Sequence, residues 1–196
     1  VVALTAQYVL GTDVLAEVPA YPTKPVRIIV PYAPGGGADI VARVVALKMS
    51  EILRQAVVID NRAGAGGAIG SEMAVRATPD GYTLAFVSGA YTTGVALTRP
   101  SYDPVNDVTA IVMAGEASSL AVVHPAVPIR TVRELIDYAK AHPGQLNYGS
   151  GGTGGFSHLI TALFDLLAGT RMTHIPYKGT GPALTDLLGG QLQVIF

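Results

Sequence analysis

Three glycine-rich loops, each followed by a helical pattern, are the parts of this sequence best suited to bind an anion. They cover residues 35–37, 64–67 and 151–155. The first amides of a helix are unpaired and carry a partial positive charge, and glycine lets an anion approach the backbone closely. The alternative is that each glycine only permits a tight strand-to-helix turn. Because two loops lie in the first half of the chain and one in the second, we predict an anion site divided between two halves.

Backbone and hydroxyl donors around these loops form the predicted ligand site. Serine and threonine side chains near the loops would add neutral hydrogen-bond donors to the backbone amides. The backbone positions are Gly35, Gly36, Gly64, Gly66, Gly151 and Gly154, and the hydroxyl groups are Ser88, Thr92, Ser150, Thr153 and Ser157.

Three ionisable side chains have two interpretations each. Asp39 and His158 both fall in the first turn of a predicted helix, so they could form an acid/base couple at a cleft. Asp39 could instead be a helix cap, and His158 a hydrogen-bonded structural residue. Lys178, in a Tyr-Lys-Gly loop, could face a carboxylate or the other lobe, or be solvated.

The common enzyme motifs are incomplete. A dinucleotide fingerprint fails because Ile69 stands where its third glycine belongs, and no acidic residue ends the following strand. Neither Ser88 nor Ser150 lies in a GxSxG sequence, and Lys178 precedes its glycine instead of completing a phosphate-binding loop. We therefore predict no catalytic residue and no cofactor, and keep a nucleotide-dependent α/β enzyme as the alternative hypothesis.

Composition excludes several other classes of protein. With a net charge of -1 and no basic block, the chain lacks the charge that nucleic-acid binding needs. It has no cysteine, and its four histidines are too far apart for a helical metal-binding pair, so no metal site is predicted. No apolar run reaches the roughly 18 residues that a membrane span requires, and we expect a soluble chain.

The elements that must position these loops alternate between apolar runs and amphipathic segments, which is typical of an α/β protein with parallel strands. In such folds ligands collect at the carboxyl ends of the strands. In the first half the pattern predicts strands at 26–30, 57–59 and 83–87, with helices at 39–53 and 69–77.

The second half begins again after an apolar run at 120–123. Thr131 and Glu134 have the spacing of a capping box, which predicts a helix ending near Ala141. Further strands are predicted at 146–148, 172–175 and 193–196, with helices at 157–167 and 182–188. We expect a first lobe at 21–119 and an incomplete second lobe at 120–196. Residues 1–20 are interpreted as a leader, either a signal-peptide remnant or a disordered or vector-derived segment.

Motifs along nearly the whole of 21–196 resemble those of the Bug-type receptors, the substrate-binding proteins of tripartite tricarboxylate transporters. They are YPTKP at 21–25, VPYAPGGGAD at 30–39, NRAGAGG at 61–67, PDGYTL at 79–84, YDP at 102–104, YGS at 148–150, HL at 158–159 and PYKG at 176–179. Their number and order make the resemblance specific for the family, although not for a ligand.

The resemblance implies a type II, flytrap-like periplasmic binding protein with two α/β lobes, of which the C-terminal third is expected to be missing here. It implies that Tyr32, Ala33 and the loop through Gly36 hold one carboxylate together with the 150–157 loop. The ligand would be a dicarboxylate, tricarboxylate, amino acid or aromatic acid. The expected partners are membrane transporter subunits or a sensor protein, with a periplasmic location and a monomeric state.

Overall fold

The computed structural model describes residues 21–116 and 118–196. The predicted leader lies outside the described residues. The chain forms two β-sheets, one of three strands and one of four. The strands of the first sheet lie between residues 26 and 85, and those of the second between 122 and 195. The division of the chain at 119/120 stays a prediction, since no regular element covers the described residues between 99 and 121.

The first sheet has a parallel β2-β1-β3 order, with β1 (Val26–Val30) at its centre, β2 (Val57–Asn61) on one side and β3 (Thr83–Ala85) on the other. Helix α1 (Gly37–Leu53) connects β1 to β2. A short 3-10 turn (Ala65–Gly67) and helix α2 (Ala68–Val75) connect β2 to β3. This parallel arrangement confirms the predicted alternation, because parallel neighbours require a crossover connection.

The core of the first lobe forms where α1 packs on the sheet. Ile28 and Val30 of β1 are buried against Ala42 and Ala46 of α1. Small residues on the helix and branched residues on the strand allow the two elements to approach closely. Their packing fixes the start of α1 next to the end of β1, where the first glycine-rich loop lies.

Helix α3 (Ala90–Thr98) follows β3 and was not predicted from the sequence. Its segment contains Thr92, Thr93 and Gly94, which all have low helix propensity, and it lacks a clear apolar stripe. Its contacts with α2 and the 3-10 turn supply the stability that the local sequence does not.

The second sheet repeats the first arrangement and adds one antiparallel strand. Strand β5 (Asn147–Ser150) lies between β6 (Thr173–Pro176) and β7 (Val194–Ile195), both parallel to it, and β4 (Val122–Val123) pairs antiparallel with β7. Helix α5 (Phe156–Ala168) connects β5 to β6, and α6 (Thr180–Leu188) connects β6 to β7. In the first lobe β1 thus lies between β2 and β3, and in the second lobe β5 lies between β6 and β7.

Helix α4 (Val132–Ala141) precedes β5 and has the predicted capping box. The Thr131 hydroxyl accepts from the Glu134 amide at 3.2 Å, and the Glu134 carboxylate accepts from the Thr131 amide at 3.2 Å. These reciprocal bonds satisfy donors that the helix itself leaves unpaired. Among the described residues, none of the helices is both long and apolar enough to cross a membrane.

Candidate functional site

The two lobes meet through the loops that follow their strands. The Ala33 amide, just beyond β1, donates to the Lys178 carbonyl, just beyond β6, at 3.1 Å. A methyl group added to Gly66 would collide with the Thr153 carbonyl oxygen, and one added to Gly152 would lie 3.1 Å from the Gly66 nitrogen. The loops predicted to share an anion therefore touch each other, backbone against backbone.

This contact brings helix N-termini together in pairs. A methyl group on Gly36, the N-cap of α1, would lie 2.8 Å from Thr180 Oγ1 at the start of α6. Likewise, one on Gly66, just before α2, would lie 3.0 Å from the amide nitrogen of Gly155, the N-cap of α5. Each helix N-terminus carries the equivalent of about half a positive charge. The juncture between the lobes thus concentrates positive potential from four helices, two in each lobe.

Most amides of the second-lobe loop are already used inside the loop. Gly151 donates to Ser157 Oγ at 2.9 Å, Gly152 to Ser150 Oγ at 3.1 Å, and Gly154 to His158 Nδ1 at 3.1 Å. Gly155 donates to the Gly152 carbonyl at 3.0 Å. In the part of the chain that the structure describes, the amides of Thr153 and Ser157 have no hydrogen-bond acceptor. The side chains of Ser150, Ser157 and His158 therefore shape the loop, while Thr153 and the first turn of α5 leave donors for a ligand.

Asp39 organises the first-lobe loop from within. Its carboxylate is 2% exposed and accepts from the Gly35 amide and from Arg43 Nε, both at 2.9 Å, and from Asn61 Nδ2 at 2.9 Å. Burial alone would raise the pKa of this carboxyl, but the three hydrogen bonds and the charge of Arg43 bring the pKa below its usual value. The carboxylate thus stays ionised and compensated within its own lobe. The ligand contact predicted for Asp39 stays a prediction.

A stack of aromatic rings supports the second-lobe loop. The His158 ring lies 4.1 Å from that of His174, which in turn lies 4.9 Å from the Tyr148 ring. His174 Nε2 is 2.6 Å from Ser150 Oγ. Burial, with a smaller contribution from the charge of His158, lowers the pKa of His174 to about 4, so its ring is neutral at pH 7.

The sequence-based acid/base hypothesis has no support in these contacts. The hydrogen-bond partners of Asp39 and of His158 each belong to the residue's own lobe. His174 was missed because its role depends on strand register: β6 pairs with β5 so that His174 lies opposite Tyr148. Only a correct alignment of the two parallel strands could have revealed it.

A cavity extends from the Gly66–Thr153 contact into the first lobe. At its mouth the Tyr32 hydroxyl lies 2.7 Å from Ser88 Oγ. Burial raises the pKa of Tyr32, partly offset by its hydrogen bonds with Ser88, so the hydroxyl is protonated and neutral. The cavity has a volume of about 20 Å³. As the loops stand, this space suffices for about one water molecule.

The inner wall of the cavity comprises residues that were not predicted. These are Ser71 of α2, Ala90 and Tyr91 of α3, and Tyr102. Tyr102 belongs to the Tyr-Asp-Pro motif at 102–104, but a motif gives no direction for its side chain. Three other predicted residues do not line the cavity: Gly64 packs against the Ile69 side chain, Thr92 donates to the Gly89 carbonyl at 3.0 Å, and the Lys178 side chain is exposed.

No metal centre is formed by the described ranges 21–116 and 118–196, because they contain no group of three or more histidine, cysteine, aspartate or glutamate residues that could hold an ion. Asp39, the buried acidic residue near the lobe contact, is paired with Arg43 at 2.9 Å. The groups that this site presents to a ligand are the hydrogen-bond donors of backbone amides and hydroxyls.

Comparison with known proteins identifies relatives over most of this chain. The sequence model of the tripartite tricarboxylate transporter family receptor, TctC, matches residues 41–196. Protein BugT of Bordetella pertussis is 38% identical over 193 residues, which are 96% of this chain and 59% of BugT. A UPF0065 protein from the tcbD-tcbE intergenic region of Pseudomonas sp. strain P51 is 37% identical, over 90% of this chain and 53% of that protein. The chain thus spans somewhat more than half the length of these relatives.

Solved structures agree with this assignment. The chain superimposes on Rpa4515 of R. palustris, a structure with adipate, with a TM-score of 0.84 at 35% identity, covering 89% of this chain and 59% of that one. The superposition on MatC (Rpa3494) from Rhodopseudomonas palustris with bound malate has a TM-score of 0.83 at 33% identity. It covers 89% of this chain and 60% of MatC. The superposition on the periplasmic binding protein BugD has a TM-score of 0.78 at 34% identity. It covers 89% of this chain and 59% of BugD.

These matches confirm the two-lobed α/β fold of periplasmic binding proteins and the family predicted from the sequence motifs. This chain represents that fold over part of its length. The chain belongs to the tripartite tricarboxylate transporter receptor family, TctC, which includes the Bug proteins.

Proposed function

We propose that this chain supplies the carboxylate-binding part of an extracytoplasmic solute receptor, which holds its ligand between the two lobes. The observation that carries the proposal is the meeting of four helix N-termini, those of α1 and α6 and those of α2 and α5. Like ends of helix dipoles repel each other, and an anion between them removes that repulsion. A carboxylate fits because its two oxygens can accept from amides of both lobes at once.

The donors in this proposal come from one loop in each lobe. The Tyr32 to Gly36 turn, with Gly35 fixed by Asp39, contributes the first-lobe side. Thr153 and the first turn of α5 contribute the second-lobe side, with Ser157 and His158 holding the loop in shape. A carboxylate held this way needs no positive side chain, since the partial charges of amides replace its water.

Ligand entry requires the lobes to separate. The Ala33–Lys178 hydrogen bond and the Gly66–Thr153 contact close the juncture, and the cavity behind them has room for about one water molecule. We therefore propose that the structure represents a closed arrangement, from which opening admits a carboxylate and reclosure traps it. A partner would then recognise the closed form, whose population the ligand increases.

Membership of the family supports a proposal for the wider role. Relatives have been solved with adipate and with malate, which supports small carboxylates as ligands of this chain too. We propose a periplasmic location, a monomeric receptor, and delivery of the ligand to membrane transporter subunits or to a sensor protein. Binding would involve no chemical change in the ligand.

A thermal-shift titration tests this function. Dicarboxylates, tricarboxylates, amino acids and aromatic acids would be added to the purified chain, each beside its neutral amide at the same concentration. A saturable rise in melting temperature with at least one acid, and none with the matching amide, is expected. Equal shifts for acids and amides, or no shift with any acid, would refute carboxylate binding. A nucleotide retained through purification would instead support the enzyme alternative.

A further inference from the structure

The inner wall of the first-lobe cavity is aromatic. The rings of Tyr91 and Tyr102 are stacked with their centroids 6.4 Å apart and their planes at 17°. Ala90, beside them, is 4% exposed, and its methyl group adds further apolar surface. A ligand whose carboxylate lay at the lobe contact would point its other end toward these two rings.

The hydroxyl groups at this wall already have partners. Tyr91 donates its phenolic hydrogen to the Pro104 carbonyl at 2.9 Å. Burial raises the pKa of Tyr102, and the side chain of Ser71, a residue that is itself buried, lowers it by interacting with the Tyr102 hydroxyl. Since these hydroxyls are engaged with the protein, the wall offers mainly apolar ring surface to a ligand.

The electrostatic surroundings disfavour a second anion here. Among the described residues, none of those that line the cavity is charged. Burial is the main cause that raises the pKa of Tyr91 and of Tyr102. The neighbouring Tyr102, and then Asp103 and Asp107, raise the pKa of Tyr91 further, and Glu72 raises that of Tyr102. A second carboxylate at this wall would lose its water and find no counter-ion among the described residues that line the cavity.

Arg76 is the counter-ion of Glu72, the acidic group that acts on Tyr102. Arg76 pairs with Glu72 at 2.8 Å and also donates to Ser101 at 2.7 Å, and its side chain is 61% exposed. Arg76 therefore balances the charge of Glu72 while its own side chain lies largely in solvent. It does not line the cavity. A charged ligand tail would have to displace this pairing to gain a counter-ion.

From this uncharged, ring-lined cavity we infer that the preferred ligand is a monocarboxylate with a flat, uncharged tail, such as an aromatic acid. This inference rests on the proposed carboxylate-binding function and specifies its ligand class. The carboxylate meets the helix N-termini, and the tail packs on the rings of Tyr91 and Tyr102 in a cavity that must widen beyond its present room for about one water molecule. A ring-on-ring contact adds to the gain from burying apolar surface, which gives the selectivity.

Calorimetric titration with four probes tests the ligand class. Benzoate carries the carboxylate and ring, terephthalate adds a second carboxylate across the ring, adipate has two carboxylates and no ring, and benzamide has the ring without a charge. Benzoate is expected to bind at least about tenfold more tightly than terephthalate or adipate, with benzamide weakest. Adipate or terephthalate binding as tightly as benzoate would overturn the inference while leaving carboxylate binding intact. If no acid binds, the proposed function fails, and the inference fails with it.

Substitutions at Tyr91 separate ring packing from general structure. Tyr91→Leu is expected to weaken benzoate binding about tenfold and to weaken propionate binding much less, because only benzoate stacks on the ring. Tyr91→Phe keeps the ring and loses only the hydroxyl bond, so it should retain benzoate affinity. Tyr21→Leu, which removes a ring packed against Tyr82 instead, is the matched control. An equal loss for benzoate and propionate in Tyr91→Leu would contradict the assigned role.

Discussion

His174 Nε2 lies 2.6 Å from the hydroxyl oxygen of Ser150, which joins the last residue of β5 to a histidine of the neighbouring strand β6. Ser150 is fully buried, and the glycine-rich loop begins directly after it. The bond therefore anchors the origin of the second-lobe loop to the sheet. Because the imidazole is neutral, it supports this loop without placing a charge beside the proposed anion site.

The neutrality of His174 predicts a pH-dependent stability. In the folded chain its pKa is lowered from 6.5 to about 4, so the unfolded chain binds a proton more readily between those values. Stability is then fully present above about pH 6.5 and is lost as the pH falls toward 4. Urea unfolding at pH 7 and pH 5 should show a lower midpoint at pH 5. The loss should be smaller in His174→Gln, which cannot titrate, and an equal loss in both proteins would show that His174 is not its source.

Asp39 is expected to be essential for the first-lobe loop. Asp39→Asn removes the charge that pairs with Arg43 and replaces an acceptor oxygen with a donor, so one of its three bonds must fail. The expected loss in the free energy of unfolding is about 1–3 kcal/mol, measured by chemical denaturation. Carboxylate affinity should fall as well, because the weakened hydrogen-bond network holds Gly35 less firmly.

Asp80→Asn is the matched control for this change. Asp80 pairs with Lys24 at 3.3 Å on the surface, where the two side chains are 39% and 59% exposed. Such pairs contribute at most about 1 kcal/mol. If the two variants lost the same stability and kept the same carboxylate affinity, the role assigned to the buried carboxylate of Asp39 would be wrong.

The contact between the lobes can be tested at Gly66. Gly66→Ala places a methyl group against the Thr153 carbonyl and should keep the lobes apart, so carboxylate affinity is expected to fall at least about tenfold. Gly169→Ala is matched in backbone conformation, since both glycines have φ of 64°, but its nearest neighbour is the end of the Lys140 side chain at 3.9 Å. Both variants should lose about 1 kcal/mol of stability from strain, measured by urea unfolding. Normal binding by Gly66→Ala would argue against closure at this point.

The strand and helix pattern was largely predictable because it depends on local sequence. Apolar runs placed the central strands correctly, and the Thr131–Glu134 spacing placed the start of α4. Boundaries differed by a few residues. Helix α1 begins at Gly37 rather than Asp39, since Asp39 accepts from Gly35 across the first turn, and α6 begins at Thr180 because proline is tolerated in a first helical turn.

The inner details of the site were not predictable, because they depend on tertiary contacts. His174 reaches Ser150 only through the register of β5 and β6, and Tyr91 lies on a helix whose own sequence does not favour helix formation. The glycine loops were found because glycine at strand-to-helix turns is a local requirement. Which of their amides remain unpaired depends on side chains such as Ser157, whose direction only the fold determines.

The central claim is that one carboxylate is held by amides of both lobes. Proton–nitrogen correlation spectra of the labelled chain, recorded during titrations with benzoate and with adipate, test it directly. The account predicts saturable shifts, with one common dissociation constant, for the amides of Gly36 in the first lobe and of Thr153 and Ser157 in the second. Saturable binding that leaves the amides of either lobe unshifted would contradict it.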